Sequence, residues 1–192
     1  MRFVVLALAL ASSSIAGVIL TMDEVPFQPI NNLMVTKGGV TFTFTDTNMA
    51  NYNSAGPGIV TYVQDPSIEG FTQAQIVGIT FSQAFNVVQL GLALETMAPT
   101  SPLATVNLYN GATLVLSTTF DSSLVDPFAE GEFLYSGAAV NRITITPNTV
   151  APFFSLDNLF VNTPEPSTFS MMAGTALVLV AGTFMRQKTA YL

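Results

Sequence analysis

From Gly39 to Thr45 the chain alternates without a break, setting Val40, Phe42 and Phe44 against Thr41, Thr43 and Thr45. A period of two sends successive side chains to opposite sides of a pleated strand, so this stretch has one apolar and one hydroxyl face. The same short β-rich texture recurs at Ile59–Gln64, Gln75–Phe81, Phe85–Leu94, Ala104–Tyr109, Thr113–Phe120, Glu132–Ser136, Arg142–Thr146 and Phe153–Val161, which makes nine strands. Turn formers separate them: Ser54-Ala55-Gly56-Pro57-Gly58, Asp65-Pro66, Pro99 to Pro102, Asp126-Pro127, Ser136-Gly137 and Pro147-Asn148. Asn110-Gly111 joins two β-rich runs through residues that tolerate positive φ, which predicts a type I′ hairpin over 104–120. Short strands, frequent turns and no long amphipathic helix specify an all-β chain built as a two-sheet sandwich. A β-solenoid would need a repeat of fixed period, and the chain has none.

Two apolar segments fence this region. Met1-Arg2, the apolar run Phe3 to Ala11 and the small residues before Gly17 have the order of a secretory signal peptide over 1–16. Near the other end, Thr163-Pro164-Glu165-Pro166-Ser167-Thr168 precedes seventeen uncharged residues, 169–185, and then Arg186-Gln187-Lys188. As a helix the apolar run is about 25 Å long, at the short limit for crossing a ~30 Å hydrocarbon core. Arg186 and Lys188 then act as the stop and place the C-terminus in the cytoplasm, which leaves residues 17–163 outside. Pro164 and Pro166 cannot extend a strand ladder, so the folded domain ends by Thr163.

Pro164-Glu165-Pro166-Ser167-Thr168, an apolar helix and a basic end resemble the PEP-CTERM sorting signal of bacterial exopolysaccharide producers, also catalogued as an ice-binding protein C-terminal domain. The resemblance covers about 25 residues, 164–188, with Thr189 to Leu192 as a short tail. It departs from the family in having Arg186-Gln187-Lys188 where a run of arginines is usual. What the resemblance implies is a protein held briefly in the inner membrane until an exosortase processes it near the Pro-Glu-Pro. It also implies a jelly-roll, galactose-binding-like sandwich, in which a late strand reads like Phe154-Ser155-Leu156-Asp157-Asn158-Leu159-Phe160-Val161.

Inventory removes whole classes of chemistry. The chain has no cysteine and no histidine, so thiolate catalysis, Ser-His-Asp triads and imidazole-ligated metals are absent. Lys37 and Arg142 are the only cations in 17–163, against eleven acids. Nucleic acid binding needs clustered cations to displace counterions, and is excluded.

Oxygen chemistry remains. Asp121, Asp126, Glu130 and Glu132 crowd one stretch and supply the carboxylates a hard cation such as calcium takes. Their spacing is not that of an EF-hand, and a solvated acidic connection accounts for them more simply. Asp157, next to Asn158, is a further candidate ligand, because in the resembling jelly rolls a polar pair here lies near a structural calcium or a ligand-facing edge. A carboxylate capping the N–H groups of a neighbouring turn is its simpler role. Alternation over 153–161 groups Phe154, Leu156, Asn158 and Phe160 on one face and Asp157, Leu159 and Val161 on the other.

Tyr52, Tyr62, Tyr109 and Tyr135, with Asn51, Asn53 and Gln64, offer ring faces and amides to a sugar in a chain without tryptophan. The runs Thr41-Phe42-Thr43-Phe44-Thr45 and Thr144-Ile145-Thr146 are the polar sides of alternating strands, and the ice-binding label implies no activity for them. The expected function is non-enzymatic: an exported surface or matrix protein, structural or glycan-binding, with no catalytic residue. Two alternatives follow, a secreted glycan hydrolase using acids among Asp121, Asp126, Glu130 and Glu132, and a surface protein anchored permanently by 169–185. The implied partners are exosortase, the membrane and exopolysaccharide, and no cofactor beyond calcium is implied.

Overall fold

Twelve strands and no helix make up the described part of the chain. The structure, a computed structural model, describes residues 17–162 apart from Asn48, Ile59, Ala74 and Asp126. The expected signal peptide, the Pro164–Thr168 motif, the apolar segment 169–185, and Arg186 and Lys188 lie outside the described residues. Among those described, no helix is long and apolar enough to cross a membrane.

The strands are β1 (Val18–Leu20), β2 (Gln28–Pro29), β3 (Met34–Lys37), β4 (Val40–Thr45), β5 (Asn51–Ser54), β6 (Ser67–Phe71), β7 (Val77–Leu94), β8 (Ala104–Asn110), β9 (Thr113–Phe120), β10 (Leu124–Val125), β11 (Ala129–Pro147) and β12 (Phe153–Asn162). All pair antiparallel and form one continuous hydrogen-bonded system. β7 and β11, paired with each other along most of their length, change outer partners midway. The early half of β7 takes β4 (Phe42↔Phe81, Phe44↔Ile79), and its late half takes β12 (Leu156↔Leu92, Val161↔Val88). The late half of β11 takes β8.

Two layers result. The first runs β3-β4-β7-β11-β8-β9, and the second runs β2-β5-β6-β12-β7-β11, with β1 on β12 and β10 on β11. The change of layer falls where the β7–β11 register shifts, between Ser136 and Arg142, because extra residues bend a strand there and let it leave one sheet for the next. Burial shifts phase at the same place: Val77, Ile79, Phe81 and Phe85 face the core before the bend, and Val88, Leu90, Leu92 and Leu94 after it. Between the layers, Phe44 of β4 meets Tyr52 of β5 edge to face with centroids 5.6 Å apart, and Phe120 of β9 meets Phe133 of β11 at 5.8 Å. An edge-to-face pair such as Phe44–Tyr52 adds about 1 kcal/mol beyond the area it buries.

The all-β expectation holds, with corrections. The sandwich is one continuous sheet folded through two long strands rather than two separate sheets. The expected Gln75–Phe81, from Val77 on, and Phe85–Leu94 are parts of β7, and Glu132–Ser136 and Arg142–Thr146 are parts of β11, because a bulge breaks the apolar period without breaking the strand. Residues 60–64 are a loop, not a strand. The 104–120 hairpin forms, but Asn110 pairs with Thr113, and the two-residue loop is Gly111-Ala112. Only Gly111 has positive φ there, which fits a type II′ turn rather than the expected I′. In β12, Asn158 (φ 54°) is an extra residue between Asp157↔Gly91 and Phe160↔Gln89. The slip sends Leu159 and Val161 into the core with Phe154 and Leu156. Phe160 goes to the other side with Asp157, opposite to the grouping expected from unbroken alternation.

Candidate functional site

The outward side of the second layer gathers most of the unusual chemistry. Cross-strand register aligns Glu69, Ser155, Ala93 and Glu130 in one row, Asp157, Gly91 and Glu132 in the next, and Ile19, Phe160, Gln89 and Leu134 in a third. The inward neighbours Leu90, Leu92, Leu94, Phe154 and Leu156 are buried in the core. Rigid strands therefore hold this surface in place.

Across it lies the loop 55–66. Val60 and Val63 pack on Ala93, with Phe128 against them. The chain comes so close to β7 that a Cβ on Gly91 would sit 2.0 Å from the Tyr62 carbonyl oxygen, so only glycine fits there. A segment lying on a sheet cannot use the sheet's own ladder bonds, and its amides need other acceptors. Glu130, 2% exposed, supplies two: Oε1 accepts from the Thr61 N–H at 3.0 Å and Oε2 from the Tyr62 N–H at 2.7 Å. Asp157, also 2% exposed, accepts from the Gln64 N–H at 3.0 Å through Oδ2. The Asn158 side chain donates to the Tyr62 carbonyl at 3.2 Å. Two acceptor oxygens on Glu130 and one on Asp157 thus hold three loop amides, and removal of an acceptor from a buried amide costs about 1–3 kcal/mol.

Asp157 Oδ1 has no hydrogen-bond partner among the described residues. Burial pushes the Asp157 carboxyl up to about 6, against the amides of Asn158 and Gln64, and the carboxylates of Glu24 and Asp23 add to the rise. Glu24 behaves in the opposite way. Burial raises it, but Lys37, 2.6 Å away, the Tyr52 hydroxyl and the Thr21 amide together hold it below the usual carboxylate value. Tyr52 itself is pushed up by burial and by Glu24.

A cleft lies on either side of the loop. The first, of about 290 Å³, is lined by Thr61, Tyr62, Gln89, Glu132, Asn158 and Phe160, with Ile19 and Gly91. Tyr62 and Phe160 are half-buried, and Glu132 accepts from the Gln89 amide at 2.6 Å. The second, of about 250 Å³, is lined by Glu69, Glu95, Phe128, Phe153 and Ser155, with Gly56 and Pro57. A larger groove of about 580 Å³, bordered by Met49, Phe71, Val150 and Pro152, has no charged side chain in its lining.

Of the acids singled out in the sequence, Asp121 is exposed and accepts from the Ser101 hydroxyl at 2.8 Å, and Asp126 lies outside the described residues. Glu130 holds the loop, and Glu132 lines the first cleft. Among the described residues no group of three acids converges on a point where a metal ion would sit. Asp157 caps loop amides, as its simpler reading has it. The tyrosines separate: Tyr52 is fully buried, Tyr135 donates to the Ala138 carbonyl, and Tyr109 lies 3.9 Å beneath the Arg142 guanidinium. Of the four, Tyr62 lines the first of these clefts. Asn53 donates to the Val25 carbonyl, Asn51 to that of Met49, and the Gln64 backbone serves Asp157, so these are structural. Gln89, Phe160, Glu69 and Glu95 were not legible as site residues, because their shared surface exists only through strand register.

No family model matches the chain, and no curated protein matches it. Solved structures similar to it include the K2 cleaved adhesin domain of Lys-gingipain, at 10% identity and a TM-score of 0.49 over 77% of this chain and 98% of that one. A family 29 carbohydrate-binding module from Piromyces equi is similar at 10% identity and a TM-score of 0.34, over 65% and 91%. The CBM22-1 xylan-binding domain of Paenibacillus barcinonensis Xyn10C is similar at 13% and 0.34, over 79% and 98%.

Proposed function

We propose that this chain is an exported, jelly-roll-like β-sandwich that binds a polysaccharide in the cleft between Tyr62 and Phe160. The observation that carries this is the arrangement there: two partly exposed aromatic rings flank the Gln89 amide, the Glu132 carboxylate and the Asn158 side chain on a rigid strand face. Rings offer apolar faces to the C–H side of a sugar, and amide and carboxylate groups satisfy its hydroxyls. Export through the N-terminal segment, brief retention by 169–185 and processing by an exosortase at Pro164–Thr168 complete the reading. The destination is the cell surface or its exopolysaccharide matrix.

Binding is favoured over hydrolysis because Glu130, one of the acids a hydrolase would draw on, has both oxygens committed to loop amides. The test is calorimetric titration with oligosaccharides released from the host's own exopolysaccharide. Tyr62→Ala should weaken binding about tenfold, the scale of a lost stacking contact, with unchanged far-ultraviolet circular dichroism. Unaltered affinity in that variant would remove the cleft from the reading. For the sorting arm, intact mass of the secreted protein should end near Pro164–Ser167, whereas a membrane form running to Leu192 would mean a plain anchor.

A further inference from the structure

The same cleft has a charge sign. Glu132 is the one charged side chain in its lining, and it is exposed. Gln89 uses only Oε1 of that carboxylate, which leaves the second oxygen to a ligand donor. Asp157 sits in the same strand row, on the far side of Gly91.

Neither cation of the described residues serves this place. Lys37 is paired with Glu24 at 2.6 Å, and the Arg142 guanidinium is stacked on Tyr109 in the first layer. A uronate or sulfate entering the cleft would meet a carboxylate with no cation to offset it, whereas an ammonium would find an acceptor already oriented by an amide. Sugars with free amino groups satisfy both features of the site, the aromatic walls and the carboxylate.

We infer that the Tyr62–Phe160 cleft selects amino-bearing glycans and rejects acidic ones. This rests on the glycan-binding reading above and specifies its ligand class. The experiment compares three tetrasaccharides of similar length, one of glucosamine, one of N-acetylglucosamine and one of a uronic acid, titrated into the 17–162 region within the full chain in mildly acidic, low-salt buffer. The glucosamine form should bind about fivefold tighter than the acetylated one, the upper range for an exposed ion pair, and the uronate form should not bind. Glu132→Gln should close the gap between the first two, high salt should narrow it, and Glu95→Gln, in the other cleft, should leave it intact. Equal affinity for amino and acetylated forms would overturn the inference while leaving glycan binding in place. A preference that survives Glu132→Gln would also overturn it, because that is general attraction of a cation to an acidic protein. Failure of all three sugars to bind would remove the glycan-binding reading, and this inference with it.

Discussion

The two outward surfaces of the sandwich share a backbone plan and differ in chemistry. On the first layer, register places Thr36 beside Thr41, Thr43 beside Thr80, Thr144 beside Asn107 and Ser117, and Thr146 beside Thr105 and Thr119. The two Thr-x-Thr runs therefore lie on one face, separated by β7. Their groups bond within the face, as in the 2.9 Å contact of the Thr36 and Thr41 hydroxyls and the donation from Asn107 to Thr144. Arg142, stacked on Tyr109, is the charged member of that face. On the second layer the corresponding positions hold Glu69, Glu130, Glu132 and Asp157, with a loop across them. Hydroxyls both donate and accept, so they satisfy one another across strands or stay partly in water. Carboxylates taken out of water must find donors, and here the unpaired amides of the loop provide them. One face is satisfied by neutral, half-exposed groups, and the other depends on a match between buried carboxylates and the amides of a loop.

The sharpest test of that contrast is Glu130→Ala. It strips the acceptor from two amides held against the sheet, and should cost about 3 kcal/mol in denaturant unfolding. A loss below about 0.5 kcal/mol would mean that the loop is not clamped from below, and the contrast between the faces would fail.

Next in size is a pH effect at Asp157. Its folded carboxyl titrates at about 6, against 3.8 for the ordinary group, so between those values the folded state binds more protons than the unfolded one. Its contribution is therefore fully present below 3.8 and is lost as pH rises through about 6, with a slope no steeper than about 1.4 kcal/mol per pH unit. Glu24, held low, works in the opposite direction and at lower pH: its stabilisation is present above 4.5 and lost as pH falls through its folded value. The Asp157 contribution is best read as the wild-type stability minus that of Asp157→Asn, which should fall across pH 4–6. A flat difference would show that this carboxyl is not held in its neutral form by burial.

The smallest expected effect is on the hydroxyl face. Thr43→Val and Thr144→Val should each change stability by less than about 0.5 kcal/mol, because each removes a half-exposed hydroxyl and leaves a β-branched side chain suited to a strand. A loss comparable to that of Glu130→Ala would erase the distinction between the two faces.

How much of this was legible beforehand varied from place to place. Val40–Thr45 announces its strand and its buried face, since alternation is a local property. β7 and β11 look like four strands in the sequence, because a bulge and a break in the apolar period look alike in one dimension. Residues 60–64 look like a strand from their composition, yet their amides go to the Glu130 and Asp157 carboxylates rather than to a partner strand. Asp157 accepts from the Gln64 amide, while one left-handed residue, Asn158, reverses the facing of Leu159 and Phe160 that alternation predicts. Short strands such as β1, β2 and β10 carry too few residues for any period to emerge.

By itself the sequence determined the class of the domain, the acidic balance, and the absence of thiol and imidazole chemistry, because composition and near-neighbour period are written in the chain. It did not determine that Glu130 and Asp157 would hold the same loop, or that Tyr62 and Phe160 would flank Gln89 and Glu132. Those residues are between 27 and 98 positions apart; antiparallel register brings the strand residues together, and the bonds from Glu130 and Asn158 carry Tyr62 to them. Register is decided by the joint burial of both faces of the folded sheet, a property of the whole tertiary structure and of no single segment.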